Sequence, residues 1–209
     1  MSKPTLYGFN GSTYVRTVRM LLHEKGAEYE QVPVNVLERE PQQPEHLARH
    51  PFGKVPVFDH EGLRLIETGA ICRYIDAGFE GPSLIPVDLK DRARMDMTMN
   101  LIDAYGYSAL LNVAGFHLFP DFLGGENEAA RQEGVQNSMK LLDYLMQLRG
   151  DDPFIAGTER SLADFYLAPL CAYVDMTEDA ERVFKVAGFA HWWEQARTLP
   201  SFRATPPDT

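Results

Sequence analysis

His50-Pro51-Phe52-Gly53-Lys54-Val55-Pro56-Val57-Phe58, with Glu67-Thr68-Gly69-Ala70-Ile71 close behind it, is the stretch whose reading decides the fold. Val55, Val57 and Phe58 are strand formers with a proline set among them. Proline brings no N–H to a strand ladder, so this strand belongs at an edge or beside a special turn. A Val-Pro bond can be cis at modest cost. With Pro56 cis, the N–H and C=O of Val55 would face sideways, where a short extended peptide can pair as an extra strand. An ordinary edge-strand proline is the competing meaning.

The segment that follows sharpens the choice. Leu63-Arg64-Leu65-Ile66 reads as a strand, and Glu67 to Ile75 as a helix with Ala70, Ile71, Tyr74 and Ile75 at helical spacing. Thr68 falls at the helix start, where free N–H groups and the dipole favour an anion. Glu67 beside it can hold a cation. A carboxylate and an ammonium on one carbon, the head of an amino acid, fit that pair. A plain threonine cap with an acidic first turn is the blander alternative.

Working outward, Thr5 to Phe9 reads as a first strand, Asn10-Gly11-Ser12 as a turn, and Tyr14 to Lys25 as a helix with Val15, Val18, Leu21 and Leu22 on one side. That pattern places Arg16 and Arg19 off the apolar side. Tyr29 to Val36 alternates like a strand, and Glu38 to Arg49 is loop-rich with a short helix near His46. Phe79 to Val87 carries two glycines and two prolines and reads as a linker. Beyond it strand signals vanish. Asp88 to Phe119 is one helical tract that Gly106 can bend, Glu126 to Leu148 a second, and Ser161 to Asp175, Glu178 to Ala187 and Ala190 to Arg197 are further helices. Ser161-Leu162-Ala163-Asp164 has the form of a capping box.

The chain has 209 residues, 44% of them hydrophobic, which is enough for substantial cores. Its formal charge of −10 argues against nucleic acid or an anionic membrane as partner. Cys72 and Cys171 lie far apart in predicted helices, so buried thiols are expected rather than a disulfide. The histidines and cysteines show no metal-ligand spacing. No signal peptide or membrane-length apolar run is visible, which makes a cytoplasmic location the expectation.

Pro51-Phe52-Gly53-Lys54-Val55-Pro56-Val57, a strand, then Glu67-Thr68-Gly69-Ala70-Ile71 resembles the glutathione-binding half of the cytosolic glutathione transferases. The usual form there is Asn-Pro-x-Gly-x-Val-Pro, then Glu/Asp-Ser-x-Ala-Ile; His50 replaces the Asn, and Thr68 keeps the hydroxyl of the Ser. The resemblance runs over nearly the whole chain. It implies an α/β thioredoxin-like domain (βαβαββα) over 1–78, a linker over 79–87, and an all-α domain over 88–209 that contributes the second-substrate site. Gly11-Ser12-Thr13-Tyr14-Val15-Arg16-Thr17-Val18-Arg19 resembles the serine-using phi and zeta classes and implies Ser12 as the catalytic hydroxyl. A simple helix cap is its other meaning, with Thr13 and Tyr14 as competing donors. Tyr7 lies one position from the tyrosine of other classes and reads as core.

What the resemblance implies is conjugation of glutathione, with no metal, to a small electrophilic, partly apolar partner. The glutathione sulfur points at Ser12, its cysteinyl backbone pairs with Val55 ahead of Pro56, Lys54 contacts the peptide, and its γ-glutamyl head meets Thr68 and Glu67. A His-Lys pair that holds the glycine carboxylate in the phi class falls here at Pro41 and Gln42, so Gln42 or Gln43 is left to donate. Tyr105, Tyr107 and Phe116 either line the second site or are core. A homodimer with Phe52 docked into the partner is implied too. The alternatives are a glutathione-dependent isomerase of the zeta type and a non-catalytic binding or assembly protein of the same architecture. Asp164 is expected to serve folding.

Overall fold

The computed structural model describes residues 2–207. Two compact units emerge, Met1–Ser83 with Pro200–Thr209, and Leu84–Leu199.

The first unit carries a four-stranded sheet, β1 (Thr5–Tyr7), β2 (Glu30–Val32), β3 (Val57–His60) and β4 (Leu63–Ile66), in the order β2-β1-β3-β4. β1 and β2 run parallel, as a helical crossover requires. That crossover is α1 (Thr13–Glu24). β3 is antiparallel to both β1 and β4. β3 and β4 are joined by the two-residue turn Glu61-Gly62 with φ of 50° and 81°, the type I′ form that suits strand twist. α3 (Thr68–Gly78) lies beside α1. Leu6, Val57 and Phe58 of the sheet, Val15, Val18, Leu21 and Leu22 of α1, and Ile71 and Ile75 of α3 are all fully buried. β1 and β2 are shorter than their alternating patterns predict, because ladder pairing stops where the chain turns away toward the site.

Lys25 and Asp76 tie the ends of α1 and α3 together as a buried ion pair of 2.9 Å. Lys25 also donates to the Asp76 carbonyl, and Ser83 donates to the second carboxylate oxygen at 2.7 Å. Arg16 departs from the helical-wheel expectation. Its guanidinium is buried, lies 4.0 Å above the Phe202 ring and donates to the Phe202 carbonyl. Arg19 donates to the Pro206 carbonyl. Together they bring the last helix, Pro200–Ala204, back to the first unit instead of leaving it with the helical one. A buried guanidinium is stabilised by a ring face and a carbonyl, and Phe202 supplies both.

The loop-rich stretch after β2 contains a 3₁₀ turn (Glu40–Gln42) and the short α2 (Pro44–Leu47). The second unit is helical: α4 (Leu89–Leu101), α5 (Tyr107–Leu118), α6 (Glu128–Arg149), α7 (Leu162–Val174), α8 (Ala180–Val183) and α9 (Phe189–Thr198). The last helix is therefore α10. The bend expected at Gly106 takes the form of a five-residue π-type turn, Ile102–Gly106, between α4 and α5. α7 is apolar on every side and nearly all of it is buried, the pattern of a central helix. Asp164 sits at its start, fully buried and closing the capping box. Burial pushes its carboxyl above the ordinary range, while the donors around it pull the other way.

Candidate active site

Strand register gathers the motifs. Tyr7 pairs with Val57, and Val57 pairs with Ile66, so these three form one row across the sheet. The chain leaves that row at the same end three times: forward from Tyr7 into Gly8–Ser12, backward from Val57 into Val55-Pro56, and forward from Ile66 into Glu67-Thr68. Segments separated by more than fifty residues thus share one edge of the first unit.

Ser12 is the N-cap of α1, and its Oγ accepts from the Val15 N–H at 3.3 Å. A hydroxyl accepts twice and donates once, so the cap leaves the O–H proton available. α1 has no acidic residue in its first turn to offset the positive end of its dipole. The turn before Ser12 is braced from β2, where Gln31 Nε2 donates to the Gly8 carbonyl at 2.9 Å and to Asn10 Oδ1 at 3.0 Å. Gly8 permits the tight entry, since a Cβ there would stand 2.4 Å from Val15 Cγ2. Of the rival donors, Thr13 is buried and Tyr14 half-buried. Tyr7, expected in the core, is only half-buried, with the Arg49 guanidinium 4.7 Å above its ring. Leu6 has the inward position on this strand instead, because neighbouring strand residues face opposite ways.

The Val55-Pro56 bond is cis. Pro56 is buried, Lys54 exposed and Val55 half-buried. Behind this segment, side chains tether the backbone. Gln42 Nε2 donates to the Gly53 carbonyl at 3.1 Å, and His46 Nε2 lies 2.7 Å from the Lys54 carbonyl. Of Gln42 and Gln43, the two residues left to donate at the glycine end of a tripeptide, Gln42 has one amide N–H engaged with the chain's own loop and keeps a second. Gly53 has φ of 58° and a Cβ there would meet Gln42 at 2.5 Å, so both conformation and space call for glycine. His50 is buried, and its Nδ1 accepts from the Phe52 N–H at 3.3 Å. This reproduces the acceptor an Asn would offer two residues ahead of an N–H. Burial holds the His50 imidazole below its ordinary pKa, with the Glu67 charge opposing.

Glu67 is exposed and has φ of 69°, a costly conformation for a residue with a Cβ. It occupies the N-cap of α3, yet among the described residues no side chain caps that helix, and its first turn has no acidic residue. The plain-cap meaning of Glu67-Thr68 therefore fails. Thr68 is buried as the first helical residue, and the opening N–H groups of α3 lack a side-chain acceptor. Such an end is suited to a carboxylate.

Elsewhere, burial pushes both thiols up in pKa, Cys72 and Cys171 alike. Of the aromatics considered for a second site, Tyr105 is 66% exposed, Tyr107 is half-buried with its hydroxyl pushed up in pKa by burial, and Phe116 lies 5.2 Å under Arg131. Among the described residues no group of three or more His, Cys, Asp or Glu is placed to hold a metal, and no helix is long and apolar enough to cross a membrane. Gln31 and His46 were not singled out from sequence. One sits in a strand and one in a short polar helix, and only tertiary contact reveals what they brace.

Comparison with known proteins shows the family. Residues 2–77 match the family model of the glutathione S-transferase N-terminal domain, and residues 128–195 that of the C-terminal domain. The chain belongs to the glutathione S-transferase family, and it is an enzyme of the transferase class with glutathione as co-substrate. It is 30% identical over 206 residues to glutathione S-transferase F13 of Arabidopsis thaliana, covering 97% of this chain and 94% of the relative. The crystal structure of glutathione transferase F7 from Populus trichocarpa superposes with a TM-score of 0.87 at 28% identity, covering 97% of each chain. Glutathione S-transferase I from maize in complex with an atrazine glutathione conjugate superposes with a TM-score of 0.82 at 28% identity, covering 98% of this chain and 96% of that one.

Proposed function

We propose that the protein conjugates reduced glutathione to small electrophilic, partly apolar substrates, with the Ser12 hydroxyl holding the glutathione sulfur as a thiolate. The observation that carries this reading is the double use of Ser12 Oγ: it accepts the Val15 N–H and keeps its own proton to donate at the positive end of α1. A free thiol has a pKa of about 8.5. Lowering it by about two units takes about 2.7 kcal/mol of preference for the anion. A hydrogen bond to a charged acceptor supplies about 1.5 to 3 kcal/mol, and a helix N-terminus adds a further fraction. The two sources together match the need without a metal or a protein thiol.

The rest of glutathione lies along the sheet edge. Its cysteinyl backbone pairs with Val55 ahead of Pro56, Lys54 contacts the peptide, and the γ-glutamyl carboxylate takes the open start of α3 at Thr68 with its ammonium near Glu67. The uncapped α3 terminus and the positive φ of Glu67 support this placement. Gln42, through its second amide N–H, or Gln43, both exposed, donates to the glycine carboxylate. The glutathione conjugate bound by the related maize transferase supports an electrophile of modest size. Phe52, 72% exposed beside the site, suits docking into a second copy in a homodimer; a monomeric mass in solution would remove that part.

The test is an ultraviolet titration of the thiolate in the glutathione complex, with and without Ser12→Ala. The bound thiol should titrate below the free one, and the substitution should return it at least one unit toward free glutathione. An unchanged thiol pKa in Ser12→Ala would overturn the assignment of Ser12. Retention on immobilised glutathione separates a transferase from a scaffold that binds no peptide.

A further inference from the structure

His46 is a buried residue of α2, 2% exposed, and its Nε2 is 2.7 Å from the Lys54 carbonyl oxygen. A carbonyl only accepts, so the ring must donate and its proton sits on Nε2. The other ring nitrogen, Nδ1, is buried with no hydrogen-bond partner among the described residues. The Lys54 C=O and the Val55 N–H belong to a single peptide unit. That unit is planar, with its C=O and N–H pointing in opposite directions. A side chain that fixes the direction of the carbonyl therefore fixes the direction of the amide. A bond to the carbonyl also polarises the unit and strengthens its N–H as a donor.

Several neighbouring groups are occupied. The Phe52 N–H goes to His50 Nδ1, the Gly53 N–H to the His50 carbonyl, and the Gly53 carbonyl accepts from Gln42. Val55 is where this tethering ends: among the described residues its N–H makes no hydrogen bond. We infer that His46 is a positioning residue for the conjugation reaction, aiming the Val55 N–H at the cysteinyl carbonyl of bound glutathione from the far side of the same peptide plane. The inference rests on the proposed docking of glutathione along Val55.

The experiment is a calorimetric binding cycle on the full chain. Glutathione and an analogue with a methylene in place of its cysteinyl carbonyl are titrated into the wild type, His46→Leu and His46→Gln. For glutathione, His46→Leu should raise Kd about five- to tenfold, the range one hydrogen bond supports. For the analogue, which has no carbonyl to receive the Val55 N–H, the same substitution should change Kd less than about twofold, because the coupled partner is gone. His46→Gln keeps an N–H donor and should restore most of the affinity. In turnover, His46→Leu should raise KM for glutathione and leave the pKa of the bound thiol in place.

A wild type that binds no glutathione defeats the proposed function itself. A wild type that binds, with a His46→Leu that binds equally well, overturns the inference alone. So does equal weakening toward both ligands, the mark of a scaffolding role. Should His46→Leu fail to fold, nitrogen-detected NMR of the wild type decides: a ring proton on Nε2 upholds the hydrogen bond, and a proton on Nδ1 instead overturns it.

Discussion

Replacing Asp164 by Asn changes one oxygen into an amide nitrogen at a point where four donors converge. Asp164 Oδ1 accepts from the Ile155 N–H at 3.1 Å and from Trp192 Nε1 at 2.8 Å, while Oδ2 accepts from the Ser161 N–H at 2.9 Å and the Ser161 hydroxyl at 3.3 Å. In the Asn variant the remaining carbonyl oxygen keeps the first pair. The new NH₂ then faces the second pair, donor against donor. The Ser161 hydroxyl can rotate and accept, but its backbone N–H cannot, and it is buried. One stranded buried donor costs about 1 to 3 kcal/mol, and the surviving bonds lose their charge assistance. The expected loss is about 3 kcal/mol. With a urea m-value of about 3 kcal/mol/M, near the upper end for small proteins, the unfolding midpoint should fall by about 1 M. The fluorescence of Trp192, recorded with Trp193 changed to Phe, reports on the same point, since its indole N–H is one of the four donors. Asp164→Ala strands all four donors and should lose more than Asp164→Asn. A midpoint shift below about 0.2 M for both variants would refute the account, because no buried donor could then have been stranded.

Lys25→Met should destabilise by about 3 kcal/mol in urea unfolding, because it leaves the buried Asp76 carboxylate without its cation; adding Asp76→Leu should recover much of the loss. His50 gives an acid-side effect. Its folded pKa is depressed, so the unfolded chain binds the extra proton more readily, and stability rises with pH between the depressed value and about 6.5. His50→Asn, which keeps an acceptor for the Phe52 N–H, should flatten that slope while His46, Lys54 and Glu67 stay in place, as followed by melting temperature against pH. A disulfide reagent should find no reactive thiol in the native chain and two after denaturation, since Cys72 and Cys171 are both buried and free; rapid labelling of either in the native protein would contradict the packing.

The family resemblance, carried by short motifs, made the proposed site legible. Ser12 before a helical run, Pro56 inside a strand, and Glu67-Thr68 ahead of Ala70-Ile71 each carry their meaning in neighbouring residues. So does the capping box at Ser161. Arg16 was less legible: the helical pattern turned it outward, and it is buried under Phe202, far along the chain. Tyr7 was misplaced for a similar reason, because a three-residue strand offers too little alternation to say which face is covered. The family's glycine-end donors being replaced at Pro41 and Gln42 was visible, but the new duty of Gln42 toward Gly53 was not.

The amino-acid sequence by itself determined the order of strands and helices around the sheet and the change to an all-helical pattern beyond it. Those depend on periodicity, turn chemistry and caps, which act over a few residues. The row Tyr7, Val57, Ile66, the grip of His46 on the Lys54 carbonyl and the return of α10 to Arg16 were decided only by the tertiary structure. A hydrogen bond or a ring stacked on a guanidinium has no periodicity to betray it when its partners are distant in sequence, and only the folded register brings them together.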